Sequence, residues 1–332
     1  MPRRTALLTS GMTAVALALA ACSTGGDAGE ATGDGAAAAF PLTLTSCEVD
    51  VTVEAPPERV VVLKNASVPY LRELDVLDRV VARAGAYPPG YYDEQTTALL
   101  EDSELLTDRT DTTGHTLISA EEVVGLEPDL VLGALDNLDQ TSMGALGVPL
   151  MEEPALCPRG VAEPTFADVE DQLLTYATVF DREELGRERA DALRERVEAA
   201  TEQATSGNGE PRTAAMLFPT VGGGSLYAYG IRSMAHPQLE AAGLTNVFAD
   251  TDERVFEIGV EELLGRDPDV LVLLHSEGDP EPVEQAVTSL PGAENLTAVQ
   301  DGEILVQLFS FTEPPSPLSV EGLERLVERF GP

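Results

Sequence analysis

The sequence predicts an α/β protein built from two similar lobes, with a helix long enough to join them. Two observations predict it: a segment that occurs twice, and a long apolar stripe between the copies. Residues 118–132 and 258–272 lie 140 positions apart and share six of fifteen residues, with most other positions exchanging one aliphatic side chain for another. Each copy reads as a short acidic helix closing near Gly125 or Gly265, an acid-Pro-Asp turn at Asp129 or Asp269, and then a buried strand. That is half of a βαβ unit, so two copies imply two lobes with a crevice between them.

The chain has 332 residues, enough for two domains. Its start is expected to lie outside the fold. Arg3 and Arg4 precede an apolar stretch over residues 12–21, too short for a permanent membrane span, and Leu19-Ala20-Ala21-Cys22 supplies the small residues of an export cleavage site. This ending resembles a bacterial lipobox, which implies cleavage before Cys22 and lipidation of its sulfur. Residues 1–21 are then a signal peptide, and residues 22–41, rich in Gly, Ala and Thr, a flexible lipidated tether.

The first lobe is expected over residues 42–165. Leu42 to Thr45 and Val49 to Val53 alternate as a hairpin does. Residues 59–63 form a continuous apolar run typical of a strand buried on both faces, followed by a loop at Lys64 and Asn65 and a helix over 68–77. Residues 80–84, 129–133 and 148–151 supply further strands. Residues 166–206 are linking helices. Phe166, Val169, Leu173, Ala177 and Phe180 mark one stripe, and Leu185, Leu193, Val197 and Ala200 a second of about 20 residues, roughly 30 Å long and able to span the lobes. The second lobe, residues 207–332, opens with a strand over 213–218. A helix over 234–242, strands over 269–274 and 304–308, and an amphipathic helix over 319–330 complete it.

Composition narrows the function. A net charge of −38 disfavours nucleic acid, which requires a basic footprint. With Cys22 lipidated, Cys47 and Cys157 remain in a compartment that permits disulfides; pairing is expected, and two free thiols is the alternative. No Cys or His spacing suggests zinc. Gly222-Gly223-Gly224-Ser225 lacks the Lys-Ser/Thr of a phosphate loop, and His115, His236 and His275 have no partner motif, so neither a cofactor nor catalysis is indicated.

The lipobox, the run from Ala55 through Leu63, Leu126-Glu127-Pro128-Asp129-Leu130-Val131-Leu132, the stretch over residues 243–250 and Arg266-Asp267-Pro268-Asp269-Val270 together resemble the class III substrate-binding proteins of ABC importers. These serve ferric siderophores, haem and vitamin B12. The resemblance covers residues 42–330, and Cys47 and Cys157 place it nearest the actinobacterial ferric-siderophore branch. It implies two Rossmann-like lobes with mainly parallel sheets joined by one long helix, a monomer anchored outside the cytoplasm by lipid, and a ferric-siderophore ligand passed to a permease with its ATPase. A haem or corrinoid ligand is the alternative within the class. An exported surface lipoprotein, or an enzyme without a recognised motif, is the alternative outside it.

Ligands in open α/β sheets gather outside the carboxyl ends of the strands. That rule selects Lys64, Asn65, Tyr87 and Asp136 in the first lobe. In the second it selects Tyr227, Arg232, His275, Phe309 and Phe311. Tyr91, Tyr92, Asn137, Tyr229 and Ser276 lie in the same loops. The resemblance further implies that one Glu per lobe, seven residues before the Pro of the Pro-Asp turn, docks onto permease arginines. Those positions are Glu121 and Glu261.

Overall fold

The computed structural model describes residues 39–88, 90–109, 116–207, 212–223 and 225–332. The expected signal peptide, most of the tether, Cys22 and His115 lie outside them. Strands β1 (Leu42–Ser46) and β2 (Val49–Val53) form the expected hairpin, turning at Cys47 and Glu48, both with positive φ. The first lobe continues with β3 (Val60–Val62), α1 (Val68–Glu73), β4 (Val80–Ala84), α2 (Glu94–Asp102), β5 (Glu104–Thr107), α3 (Ala120–Val124), β6 (Leu130–Leu132), α4 (Gln140–Gly144) and β7 (Leu150–Met151). These five strands pair in parallel in the order β5-β4-β3-β6-β7. Val60, Val61 and Val62 are wholly buried, as a central strand covered on both faces requires.

The strand order reverses between β3 and β6, and this switch point is where Lys64 lies. Gly133, at φ 94°, faces it. A Cβ there would stand 2.9 Å from the Lys64 backbone nitrogen, so the close approach of the two strand ends requires glycine.

Helices α5 (Phe166–Val179) and α6 (Glu183–Thr205) follow. At 23 residues α6 is about 34 Å long. Its Ala190 and Leu193 belong to the first-lobe core, Ala200 belongs to the second, and Val197 packs against both, so one apolar stripe is shared by two lobes. Gly186 lets α6 close on α5, since a Cβ there would fall 2.2 Å from that of Ala177.

The second lobe comprises β8 (Arg212–Pro219), β9 (Leu226–Tyr229), α7 (Ala235–Ala241), β10 (Leu244–Asn246), β11 (Val255–Ile258), α8 (Val260–Arg266), β12 (Val270–His275), α9 (Pro280–Thr288), α10 (Thr297–Asp301), β13 (Ile304–Leu308) and α11 (Pro317–Phe330). Its sheet runs β11-β9-β8-β12-β13, with β10 also paired to β8. Strands β8, β10, β12 and β13 pair in parallel; β9 runs antiparallel to both its neighbours, β8 and β11, because the turn after β8 folds the chain straight back instead of crossing over.

Helix α11 is a second joint. Val320 enters the first core, while Leu323, Leu326, Val327 and Phe330 enter the second. Around it Arg72 meets Glu321 at 3.1 Å, Arg196 grips both Glu324 oxygens at 2.8 Å, and the buried Tyr70 hydroxyl donates to Pro315 O at 3.1 Å.

The duplicated segment has a duplicated structural task. Glu127 and Asp267, equivalent positions, both take left-handed backbone, at φ 49° and 40°. Each following aspartate then captures the start of the neighbouring strand. Asp129 accepts from the Glu58 and Arg59 amides at 2.8 and 2.9 Å, and Asp269 accepts from the amide and hydroxyl of Thr213, both at 2.7 Å. The acid-Pro-Asp turn therefore sets the register between two strands remote in sequence.

Candidate ligand-binding cavity

A cavity of about 460 Å³ opens between the lobes. The first lobe contributes the segment after β7, residues 155–161 with Pro164. The second contributes Arg232, residues 252–255, Glu313 and Pro315. The two walls are held in place by different means.

The first-lobe wall is fastened to the amino-terminal hairpin. A disulfide joins Cys157 to Cys47, and Glu48, one residue after Cys47, meets Arg159, two residues after Cys157, at 2.7 Å, both exposed. Just before this wall the chain is anchored inside the lobe. Glu152, almost wholly buried, accepts from the Lys64 ammonium at 2.6 Å and the Ala134 amide at 2.9 Å. Glu153 accepts from the buried Tyr176 hydroxyl at 2.5 Å. Burial, reinforced by the neighbouring Glu152, pushes the Glu153 carboxyl up to about 8, although the Tyr176 hydrogen bond opposes the shift.

The second-lobe wall rests on Glu313, of which 1% is exposed. One of its oxygens accepts from the Ser233 hydroxyl at 2.6 Å and the Met234 amide at 2.8 Å; the other accepts from Arg254 Nε and Nη2 at 2.9 and 2.7 Å. Arg254 is thereby aimed by a two-pronged contact while its side chain stays 39% exposed at the cavity. Glu313 is itself held by a cross-linked loop: Gln238 donates to Phe311 O, Thr312 donates to Gln238, and Ser319 donates to Thr312 O. Arg232 faces Asp252 at 3.5 Å in an exposed pair.

Of the residues selected from sequence, Arg232 lines this cavity and the other eight do not. Lys64 is engaged by Glu152 at the switch point. Asn65 donates to Ala86 O at 3.0 Å, which fixes the loop carrying Tyr87. The Tyr87 hydroxyl donates inward to Ala84 O at 3.2 Å, and its burial raises its pKa. Asp136 is exposed, and Asn137 ties its loop to Ile118 O. Tyr227 is exposed on β9, whereas Tyr229 is buried, its hydroxyl pushed up by burial and by Glu313. His275 is buried, with Nδ1 3.0 Å from Glu277 O. Phe309 stacks edge-on against Phe218, and Phe311 is buried beneath the Arg325 guanidinium.

The neighbouring loop residues make a direct bridge. Tyr91, 4% exposed, donates across the lobes to Ser276 O at 2.8 Å, and Tyr92 packs edge-on against it. Glu121 and Glu261 stand exposed in the first turns of α3 and α8.

Arg159, Arg254 and Glu313 escaped the reading of the sequence. Arg254 precedes β11, a strand that no sequence signal marks, so the rule of loops after strands does not reach it. Glu313 sits in Thr312-Glu313-Pro314-Pro315, which reads as an ordinary turn. Arg159 had one available signal, its place two residues after Cys157.

The chain matches the model of the periplasmic binding protein family over residues 60–306, most of its length. It belongs to that family. The fold of this periplasmic binding protein is similar to a solved structure described as an ABC-type Fe3+-hydroxamate transport system from Saccharomonospora viridis, at 52% identity and a TM-score of 0.81. The match covers 89% of this chain and 100% of the other. Fold similarity extends to a periplasmic haem-binding protein from Roseiflexus (20% identity, TM-score 0.64, 82% and 97% covered). It extends also to a periplasmic vitamin B12-binding protein from Vibrio cholerae (17%, 0.59, 82% and 96%). A search of curated proteins found no match. The family consists of substrate-binding transport proteins, as the sequence resemblance implied, and its fold is the two-lobed α/β architecture described above.

Proposed function

We propose that this periplasmic binding protein captures a ferric hydroxamate siderophore between its lobes and delivers it to an ABC permease. The observation that carries the reading is the 52% identity, across nearly the whole fold, to the Saccharomonospora protein described as part of Fe3+-hydroxamate transport.

The cavity chemistry supports it. Three monoanionic hydroxamates neutralise Fe3+, so the chelate is uncharged yet presents a ring of electron-rich oxygens. Guanidinium groups suit such oxygens because they offer several donors in a fixed plane. Arg159, Arg232 and Arg254 bring this chemistry from both lobes. A chain of net charge −38 repels anions at long range, which favours a neutral chelate over a trianionic catecholate.

The remaining roles belong to the same proposal. Lipidation at Cys22 holds the exported protein at the outer face of the membrane, and Glu121 and Glu261 present one acid per lobe to a basic permease surface. Among the described residues no helix is long and apolar enough to cross a membrane. Charged pairs of this kind set orientation and encounter rate more than affinity.

The chain has no Trp and seven Tyr, so tyrosine fluorescence reads binding directly. Titration with a panel of ferric hydroxamates is expected to give saturable quenching at micromolar or lower concentration. Absence of quenching by every member, with haem or a corrinoid instead leaving its visible spectrum on the protein, overturns the iron assignment.

A further inference from the structure

The cavity carries a charge balance that the rest of the chain lacks. Its lining holds three guanidinium groups, of Arg159, Arg232 and Arg254, and three carboxylates, of Asp252, Glu253 and Glu313. Five of these six groups are at least partly exposed; Glu313 is not. All four of its contacts are donors: the Ser233 hydroxyl, the Met234 amide, and Nε and Nη2 of Arg254. A carboxyl surrounded by donors alone is acting as an acceptor on both oxygens, which is the ionised form. A full negative charge is therefore fixed directly behind Arg254, in a place water and salt do not reach.

The geometry points to Glu313 as the residue that sets which ligand charge the cavity accepts: it aims Arg254 at the ligand and cancels its charge, so that Arg254 offers hydrogen bonds without an anion-attracting field. This rests on the proposed chelate-binding role and goes beyond it by naming the determinant of selectivity. Glu313 touches no ligand in this scheme and is a positioning residue. The Nη1 donors of Arg254, not used in the contact with Glu313, remain for the ligand. The exposed carboxylates differ in kind. Asp252 lies in solvent, where salt screens its field, whereas a buried charge keeps its field under the same conditions. Residues 313–315 also straddle the lobes, because Pro315 O accepts from Tyr70 of the first lobe while Glu313 holds Arg254 of the second. The charge is thus placed at the joint of the two walls.

The test compares two probes at fixed ionic strength: a neutral ferric tris-hydroxamate, and the same chelate carrying one added carboxylate on its periphery. Native protein is expected to bind the neutral probe about tenfold tighter, because with the cavity's own charges balanced the added carboxylate meets only the repulsive field of the acidic chain. Glu313→Gln should bring the ratio to about one or reverse it. The double variant Arg254→Met/Glu313→Gln restores the charge balance, so both affinities should fall while the native ratio returns. An unchanged ratio in a folded Glu313→Gln protein overturns the inference. If that variant does not fold, the double variant decides: a ratio displaced from the native one overturns it. Equal binding of both probes by native protein refutes the selectivity role and leaves the chelate-binding reading standing. Failure of native protein to bind either probe refutes both.

Discussion

The two walls of the cavity are built on opposite principles, although the two lobes carry the same repeated segment. The first-lobe wall is an irregular stretch fastened covalently, through Cys157, to a hairpin at the far end of the lobe's sequence. The second-lobe wall is fastened by a buried charge, with Glu313 gathering Ser233, Met234 and Arg254 onto one carboxylate. The second lobe has no cysteine, and the buried carboxylates of the first, Glu152 and Glu153, hold the chain before its wall, whereas Glu313 holds an arginine of the wall itself. What the lobes share, the acid-Pro-Asp turn, serves the sheets and is not part of the cavity lining. Duplication therefore explains the frame of this protein, and the unrepeated parts explain its site.

Removing the fastening of each wall should show the difference. Replacing both Cys47 and Cys157 by Ser opens a loop of 110 residues, and a loss of about 2–5 kcal/mol is expected in denaturant unfolding. Ligand affinity should fall as well, since residues 155–161 lose their anchor. Arg254→Ala removes the partner of a buried carboxylate and should cost roughly 3 kcal/mol. It should also cost much more affinity than Arg232→Ala, whose exposed pair with Asp252 contributes little to stability. Equal affinity losses in those two variants would break the claim that burial of Glu313 makes the second wall.

The shared turns give the next test. Asp129→Ala and Asp269→Ala each strand two donors, and each should destabilise by about 1–3 kcal/mol without altering affinity for the ligand. Similar values for the two would sharpen the equivalence of the copies.

A pH dependence distinguishes the interior beneath the first wall. Glu153 titrates at about 8 in the folded chain against an ordinary 4.5, so between these values the folded state holds a proton that the unfolded state has released. Stability should accordingly decline as pH rises from about 5 to 8. Glu153→Gln, which keeps an acceptor for Tyr176, should flatten that decline in melting temperature against pH. A decline of undiminished slope in the variant would assign it to other groups. The smallest effect on the isolated protein is expected at Glu121 and Glu261. Substitution of both by Ala should leave melting and ligand affinity within experimental scatter and abolish uptake in whole cells; unchanged uptake would remove them from the docking role.

These comparisons also explain what was legible in the sequence. Strands β3 and β12 are readable because central parallel strands are continuous apolar runs, and β4 and β13 because a single polar residue, Arg83 or Gln307, interrupts an otherwise apolar segment. Helix α6 was readable because one stripe of small and apolar residues persists through 23 residues. Strand β5 was not, since Glu104 and Leu105 at a sheet edge are exposed and break the pattern. Strand β11, at the sheet edge, and β9 beside it have no such signal, because each has only four residues and exposed positions interrupt both. The site was harder than the fold. Rules about loops after strands found Arg232 and missed Arg254, which owes its place to a carboxylate 59 residues away. Burial, which separates Glu313 from the many other acids on the chain, has no local signature when the burying elements are remote.

The central claim is that a ferric chelate binds between the two walls, at the arginines. Tyrosine-fluorescence titration of native protein and of an Arg232→Ala/Arg254→Ala variant with a neutral ferric tris-hydroxamate tests it most directly. The expected result is saturable micromolar or tighter binding by the native protein and at least a hundredfold weakening in the variant, on the order of 3 kcal/mol. Native affinity retained by a folded variant would contradict the account.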